Sequence, residues 1–437
     1  VVGAGYCGAS AARELARGGL QTVLLEQGGL GAGASARNGG FVHAGVRRTV
    51  AELRRRYGEE LGSALYDDTV AAFAHVEEIV RSEQIDCDYE RCGYLLLADR
   101  PRRARALRAA HDSLESTLLT REELPAHCGS AHHIAGLLLD GAASLHPARF
   151  LAGLIHSAKA AGASVHDRTA VAHLRQVDDG VDVVTNAGVV RARHVFVATD
   201  GYTAGLHPYL RRRVIPIDSF ILATEPIPAA LRSQVSPRGH LCVERKNFLT
   251  YWRLLRDGRL MFGGRASFAP TSVPRASAWL RRQIARIYPQ LEGIAIGIDF
   301  AWGGKTGFSL DQLPHVGREG DITYAVTYCG SGVALAPWLG TSAARWIAGG
   351  APPPFARIPF PAVPLYRGRP WFLPLAGPLF ALADRLCRQR PLRTRPSGAP
   401  KRRSSARRGR ARGRPARCGR LARGPSARGR VPPAQDP

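Results

Sequence analysis

The chain opens on a short apolar pair and a glycine turn, VVGAGYCG at 1–8, followed by an Ala/Leu/Arg-rich stretch with helical spacing over 9–19. Gly18 and Gly19 close that stretch, and QTVLLE at 21–26 reads as a buried strand. Helical periodicity with Arg-rich and acid-rich faces fills most of 50–120, interrupted by the strand GYLLLA at 93–98. From 135 the pattern changes to a strand, a turn, a helix over 147–161 and another strand. A hairpin at 181–203 then feeds the buried run VFVAT. Residues 214–300 are strand-rich (VIPIDSFILATE, NFLTYWRLL, GRLMFGG), which suits an antiparallel sheet. Strand, glycine turn and helix return at 321–350.

The return of nucleotide-domain patterning after long interruptions predicts an α/β chain with a discontinuous Rossmann-like domain at 1–45, 135–212 and 301–350. An α+β substrate domain, roofed by a mainly antiparallel sheet, is expected at 46–134 and 213–300. Residues 351–386 are expected to be a C-terminal packing segment, because WFLPLAGPLFALA is too short to span a bilayer and contains two prolines. Residues 387–437 read as an Arg-rich disordered tail.

Composition adds little to this except in that tail. The formal net charge is +26 over 437 residues, and residues 401–437 carry thirteen Arg or Lys against one acid. The tail has no aromatic residue on which a base could stack, which weighs against a nucleic-acid arm, and an out-of-frame extension is the other reading of it. Eight scattered cysteines form no CxxC, so neither a metal site nor a disulfide framework is expected, and the cytoplasm is the expected compartment. No transmembrane segment is expected, and oligomeric state is not legible. The sequence does not start with Met, and only Val1 and Val2 precede Gly3, where a first strand has about five or six residues. It is therefore read as lacking the start of that strand, with weakened cofactor retention expected.

The chemistry begins at the glycines. Gly3 permits a tight turn, Gly5 lets the backbone approach a pyrophosphate, and Gly8 allows close helix–strand packing. The following helix N-terminus offers free N–H groups to phosphate. Glu26, ending the second strand, is placed to accept from ribose hydroxyls, and its charge disfavours a 2′-phosphate. These residues alone leave NAD and FAD open. The next loop, GAGASARNGG, offers small residues at Gly33, Ala34 and Ser35 for close passage by a diphosphate or flat ring. Arg37 and Asn38 offer donors, and Gly39 and Gly40 complete the turn.

That loop resembles the matching loop of the FAD-dependent D-amino-acid oxidase and glycine oxidase superfamily. QIDCDYERCGYLLLA, GLLLDGAASLHPARFLAGL, CVERKNFLTYWRL and RLMFGG are similar to stretches of γ-glutamylputrescine oxidases, and the likeness runs from residue 1 to about 386. The resemblance implies an FAD-binding first domain and an amine oxidase: hydride transfer from a neutral amine to flavin N5, imine hydrolysis, and reoxidation by O2 with H2O2 as product. It implies that Gly330, Ser331, Gly332 and Val333, in YCGSGVALAPWLG, face the flavin pyrimidine edge. It likewise implies that the Val171 backbone holds adenine and that Thr199 lies in a turn beneath the cofactor. His43 and Lys305 are the candidate groups near the ring, Lys305 as a positive charge favouring reduced flavin.

Three departures refine the expectation. Ser331 stands where relatives commonly have His, and Ala334 where sarcosine-type relatives place a carboxylate-pairing Lys, which favours an amine or polyamine derivative over a small amino acid. WGGKTGFSLDQLP lacks the Cys of covalently flavinylated relatives, so FAD is expected to be non-covalent. Two other readings stay open: an FAD-dependent amino-acid dehydrogenase passing electrons to a quinone or carrier, and a non-catalytic flavin-binding protein.

Overall fold

The computed structural model describes residues 1–386 apart from 112–114, 204, 245, 247, 265–267 and 293–295, and the Arg-rich tail at 387–437 lies outside the described residues. Its nucleotide-binding layer is a sheet in which Val2 bridges Leu25 on one side and Val197 on the other, both in parallel. The side-by-side order is Ser164–His166, Val23–Leu25, Val2, Val195–Val197, Ile322–Val326 and His315–Glu319, with only the last strand antiparallel. These central strands are buried apolar runs, as a sheet covered on both faces requires.

Helices Tyr6–Arg17 and Gly332–Ile347 cross on this layer, where small residues let their backbones meet. Ala9, Ala11 and Ala12 are fully buried, and a Cβ at Gly340 would overlap the Cys7 carbonyl oxygen. The long helix Glu59–Ser82 joins the same core through Leu65, Ala72, Phe73, Val76 and Ile79. Thus a helix expected to belong to the substrate domain buries its apolar stripe on the nucleotide layer.

Among the described residues, nine strands form a second, mixed sheet. Its order is Ile298–Phe308, Ile215–Pro226, Arg259–Gly264, Thr250–Leu254, Leu241–Glu244, Glu90–Ala98, Ala135–Ser144 and Phe41–His43, with Thr117–Thr120 also paired to Ala135–Ser144. Neighbours run antiparallel except Leu241–Glu244 beside Glu90–Ala98. Segments 41–43 and 135–144, placed from the sequence with the nucleotide domain, pair in this sheet, and strand Ile298–Phe308 runs across the expected boundary between 300 and 301. Phe41–His43 and Ala135–Ser144 pair with each other, and Ile298–Phe308 pairs along Ile215–Pro226. A run of apolar residues states that a strand is buried but not which sheet supplies its hydrogen bonds. A separate antiparallel meander, Val171–Val177, Gly180–Thr185 and Gly188–Ala192, completes the sheets.

The segment expected to pack at the C-terminal end does so on one side only. Tyr366 and Leu373 are buried in a cluster with Ile215, Ile217 and Phe308, while helix Leu373–Leu386 leaves several large apolar side chains in solvent. None of the helices among the described residues is long and apolar enough to cross a membrane.

Candidate cofactor site

A cavity of about 550 Å³, within the range of small-molecule sites, runs along the C-terminal ends of the parallel strands. Gly3, Gly5 and Glu26 line it, as do Thr306, Gly330, Gly332 and Val333. Ala34, Ser35 and Asn38 line it from the RNGG loop, and Val171 and Thr199 from other strand ends.

The glycine turn has the geometry its spacing implies. Gly3 has φ +98°, and a Cβ there would lie 2.8 Å from the Ala198 carbonyl oxygen. A Cβ at Gly5 would meet Ser35 Oγ at 2.8 Å, closing the floor beside the helix N-terminus. Gly8 does not line the cavity; its Cβ would overlap the Gly3 carbonyl oxygen, so it fixes how the helix seats on the turn. Glu26 is held from two sides: Ala4 N–H donates to one carboxylate oxygen at 2.9 Å and Gly28 N–H to the other at 3.1 Å. Each oxygen keeps a lone pair for a ribose hydroxyl. Glycines that clear a path, an oriented acid and a helix start are what a dinucleotide needs, and the residues fit one.

The RNGG loop departs from expectation in detail. Asn38 spends its amide on the loop itself: Nδ2 donates to the Ser35 carbonyl at 2.8 Å and Oδ1 accepts from Gly40 N–H at 2.8 Å. Arg37 turns away from the cavity and donates to the Gly303 carbonyl at 3.2 Å. Gly39 and Gly40 lie behind the lining: Gly40 has φ +70°, and a Cβ at Gly39 would be 2.9 Å from the Tyr251 ring. Arg253, which sequence reasoning missed, clamps this bend by donating to the carbonyls of Gly39 at 3.0 Å and Leu145 at 2.7 Å. Burial lowers its pKa to about 10.

The structure does not bring Lys305 to the cavity. On its strand, Thr306 lines the cavity and Trp302 Nε1 donates to the Arg37 carbonyl, so the even-numbered side chains face the loop. Strand alternation sends Lys305 to the opposite face, where its ammonium pairs with Asp218 at 2.9 Å. His43 also lies outside the lining. It stacks on Tyr94 at 4.7 Å and donates through Nδ1 to the Ala44 carbonyl at 2.8 Å. Burial lowers its pKa against that hydrogen bond, favouring a neutral ring. Ser331 occupies the position before helix Gly332–Ile347, makes no side-chain capping hydrogen bond and does not line the cavity, whereas Gly330, at φ +103°, makes the turn that does.

Several lining residues carried no sequence signal of their own. Tyr6, Tyr202, Thr203 and Tyr328 reach the cavity from segments read only as helix or turn. Asp200 stands out among them. At φ +40° its carboxylate accepts from Gly307 N–H at 2.9 Å and Thr327 N–H at 2.7 Å, joining three segments behind the cavity. Burial raises its pKa, opposed by those backbone donors. Its position beside Gly201 was the available clue.

His132, His133 and Glu244 bring possible metal-ligand atoms within 4.8 Å of one another. Glu244 is already committed. It accepts from His133 Nε2 at 3.1 Å, from Arg286 at 2.9 Å, and from Lys246 and Thr250. A guanidinium and an ammonium on one carboxylate oppose a metal ion there, and the set reads as a buried ion-pair network.

Residues 1–346 match the profile of a family described as FAD dependent oxidoreductase. The chain is 31% identical over 361 residues to the probable oxidoreductase OrdL of Haemophilus influenzae, covering 80% of this chain and 82% of that protein. It is 29% identical over 398 residues to the γ-glutamylputrescine oxidoreductase of Escherichia coli, covering 88% and 92%. In architecture it is similar to glycine oxidase from Geobacillus kaustophilus, with a TM-score of 0.67, 20% identity, and 84% and 97% of the two chains covered.

Proposed function

Because the chain belongs to the FAD-dependent oxidoreductase family, with FAD as its cofactor, we propose that it oxidises the C–N bond of an amine of the γ-glutamylputrescine type. The chemistry that bound FAD supplies is acceptance of a hydride equivalent from the carbon beside nitrogen, with the electrons passed on to O2 as H2O2. What the chain contributes is binding and orientation. Gly3 and Gly5 admit the pyrophosphate, Glu26 receives the ribose hydroxyls, and the Gly330–Val333 turn at a helix start borders the cavity. We take the flavin to be non-covalent, because WGGKTGFSLDQLP holds no cysteine where covalently flavinylated relatives place one.

One observation carries the choice of amine over amino acid. Ala334, buried, stands where sarcosine-type relatives place a carboxylate-pairing Lys. An α-carboxylate beside the reacting C–N bond would lack that counter-charge, whereas γ-glutamylputrescine carries its carboxylate at the far end of the molecule from the oxidised amine.

The test is optical. The purified protein is expected to be yellow and to bleach without oxygen when γ-glutamylputrescine is added. Admitting air should restore the colour with stoichiometric H2O2. Bleaching by sarcosine or D-amino acids alone would overturn the amine reading, and slow recovery in air would favour a dehydrogenase.

Glu26→Gln tests the cradle independently of substrate. One side-chain oxygen becomes an amide N–H₂ facing either Ala4 N–H or Gly28 N–H, leaving a donor without an acceptor at a cost of about 1–3 kcal/mol. The Kd for FAD, measured by flavin fluorescence on the apoprotein, is expected to rise about ten- to hundredfold.

A further inference from the structure

The helix Leu373–Leu386 carries an unpartnered apolar stripe. Trp371, just before it, is 55% exposed, and Leu375, Leu379 and Leu382 are 67%, 69% and 50% exposed. Spacings of four and three residues put the three leucines along one face of the helix. The other side is anchored: Leu373 is buried, Gly377 lies against Phe268, and Asp384 receives Arg103 at 2.8 Å. Large, adjacent, exposed side chains of this kind mark an interaction surface.

Charge identifies what the surface meets. Exposed Arg367 and Arg369 lie just before the stripe. Arg103 brings helix Pro101–His111 to its far end, and that helix exposes Arg105 and Arg108 with no acid in its sequence. A second copy of this chain would set these arginines against one another. Residues 401–437 hold only Leu421 and Val431 as large aliphatic side chains, too few to cover the stripe.

We propose that this face docks on an anionic lipid bilayer, with the helix lying in the plane of the interface. At 14 residues the helix is about 21 Å long, short of the ~30 Å hydrocarbon core, so it can rest on the membrane but not cross it. Trp371 and the leucines enter the headgroup boundary while the arginines meet lipid phosphates. Neither the apolar stripe nor the basic rim anchors the protein alone, because stable peripheral binding takes two signals.

Flotation of the full-length protein with vesicles tests this. Phosphatidylcholine vesicles containing phosphatidylglycerol are expected to carry the protein up the gradient, and pure phosphatidylcholine much less. High salt should weaken the binding. Leu375→Glu combined with Leu379→Glu is expected to reduce vesicle-bound protein at least about tenfold, without changing flavin absorbance or melting. Val189→Glu, on a distant exposed strand, is expected to change nothing. Absence of flotation with anionic vesicles overturns the proposal. So does flotation undiminished in the double Leu variant, which would reduce the effect to the attraction of a basic protein for any polyanion. A dimer that the same variant converts to monomer, without vesicle binding by the parent, would assign the face to a second copy instead.

Discussion

A Gly8→Ala variant is expected to purify colourless, while Gly29→Ala in the same neighbourhood stays yellow. The methyl at position 8 would overlap the Gly3 carbonyl oxygen, a backbone atom that cannot swing aside as a flexible side chain can. Either the helix lifts off the turn or the turn opens, and both displace the N–H groups that face the pyrophosphate. Overpacking of this kind costs about 3 kcal/mol or more, which corresponds to over a hundredfold in Kd for FAD. At Gly29 an added Cβ meets no atom within 4 Å, so that variant controls for a change of glycine content. Flavin-to-protein absorbance ratios check both. A yellow Gly8→Ala protein with unchanged Kd would show that the helix seating does not govern the site.

The second large effect lies outside the cofactor cavity. Glu244→Gln removes the negative charge at the centre of the His133, Lys246 and Arg286 network. Burial works against the Glu244 charge, yet those partners hold its pKa well below the usual carboxylate range. Lys246 is itself buried, so the variant strands a cation away from water. Breaking a buried pair from one side costs about 3–5 kcal/mol, or a fall in melting temperature of roughly 5–10 °C at neutral pH. The sign with pH follows from the depressed pKa. The contribution is present above the unfolded-state value of about 4.3 and is lost as pH falls through the lower folded value. Melting curves of wild type and variant should therefore converge on acidification. A gap that stays constant between neutral and acidic pH would sink the ionic account.

Both residues bear on how much the sequence could say. Gly8 was legible because its partner is local: the spacing from Gly3 fixes which backbone atoms meet, whatever the rest of the chain does. The same holds for Glu26, whose distance from the turn is set by one helix and one short strand. Glu244 was not legible. Its partners are His133, 111 residues earlier in the chain, and Arg286, 42 residues later on the helix Val273–Ile287. No periodicity in CVERK marks it.

Lys305 is the sharpest contrast. WGGKTGF is half glycine and small residues, so it shows no alternation from which to read a buried face. Its side was decided by pairing with Ile215–Pro226, which sets Lys305 opposite Asp218 and turns Trp302 and Thr306 inward. A one-residue change of register would have exchanged the two faces. For Ala135–Ser144 the apolar run announced a strand, but hydrogen bonds with Glu90–Ala98 placed it in the second sheet.

The sequence by itself therefore determined the glycine turn, its acid, the helix that follows and the alternation of two kinds of domain, because each depends on contacts between near neighbours. Tertiary structure alone decided which strand joins which sheet, which face Lys305 takes, how Arg253 clamps the loop, and that one side of the last helix stays open to solvent. Those outcomes depend on pairing and packing between segments far apart in the chain, for which local spacing holds no information.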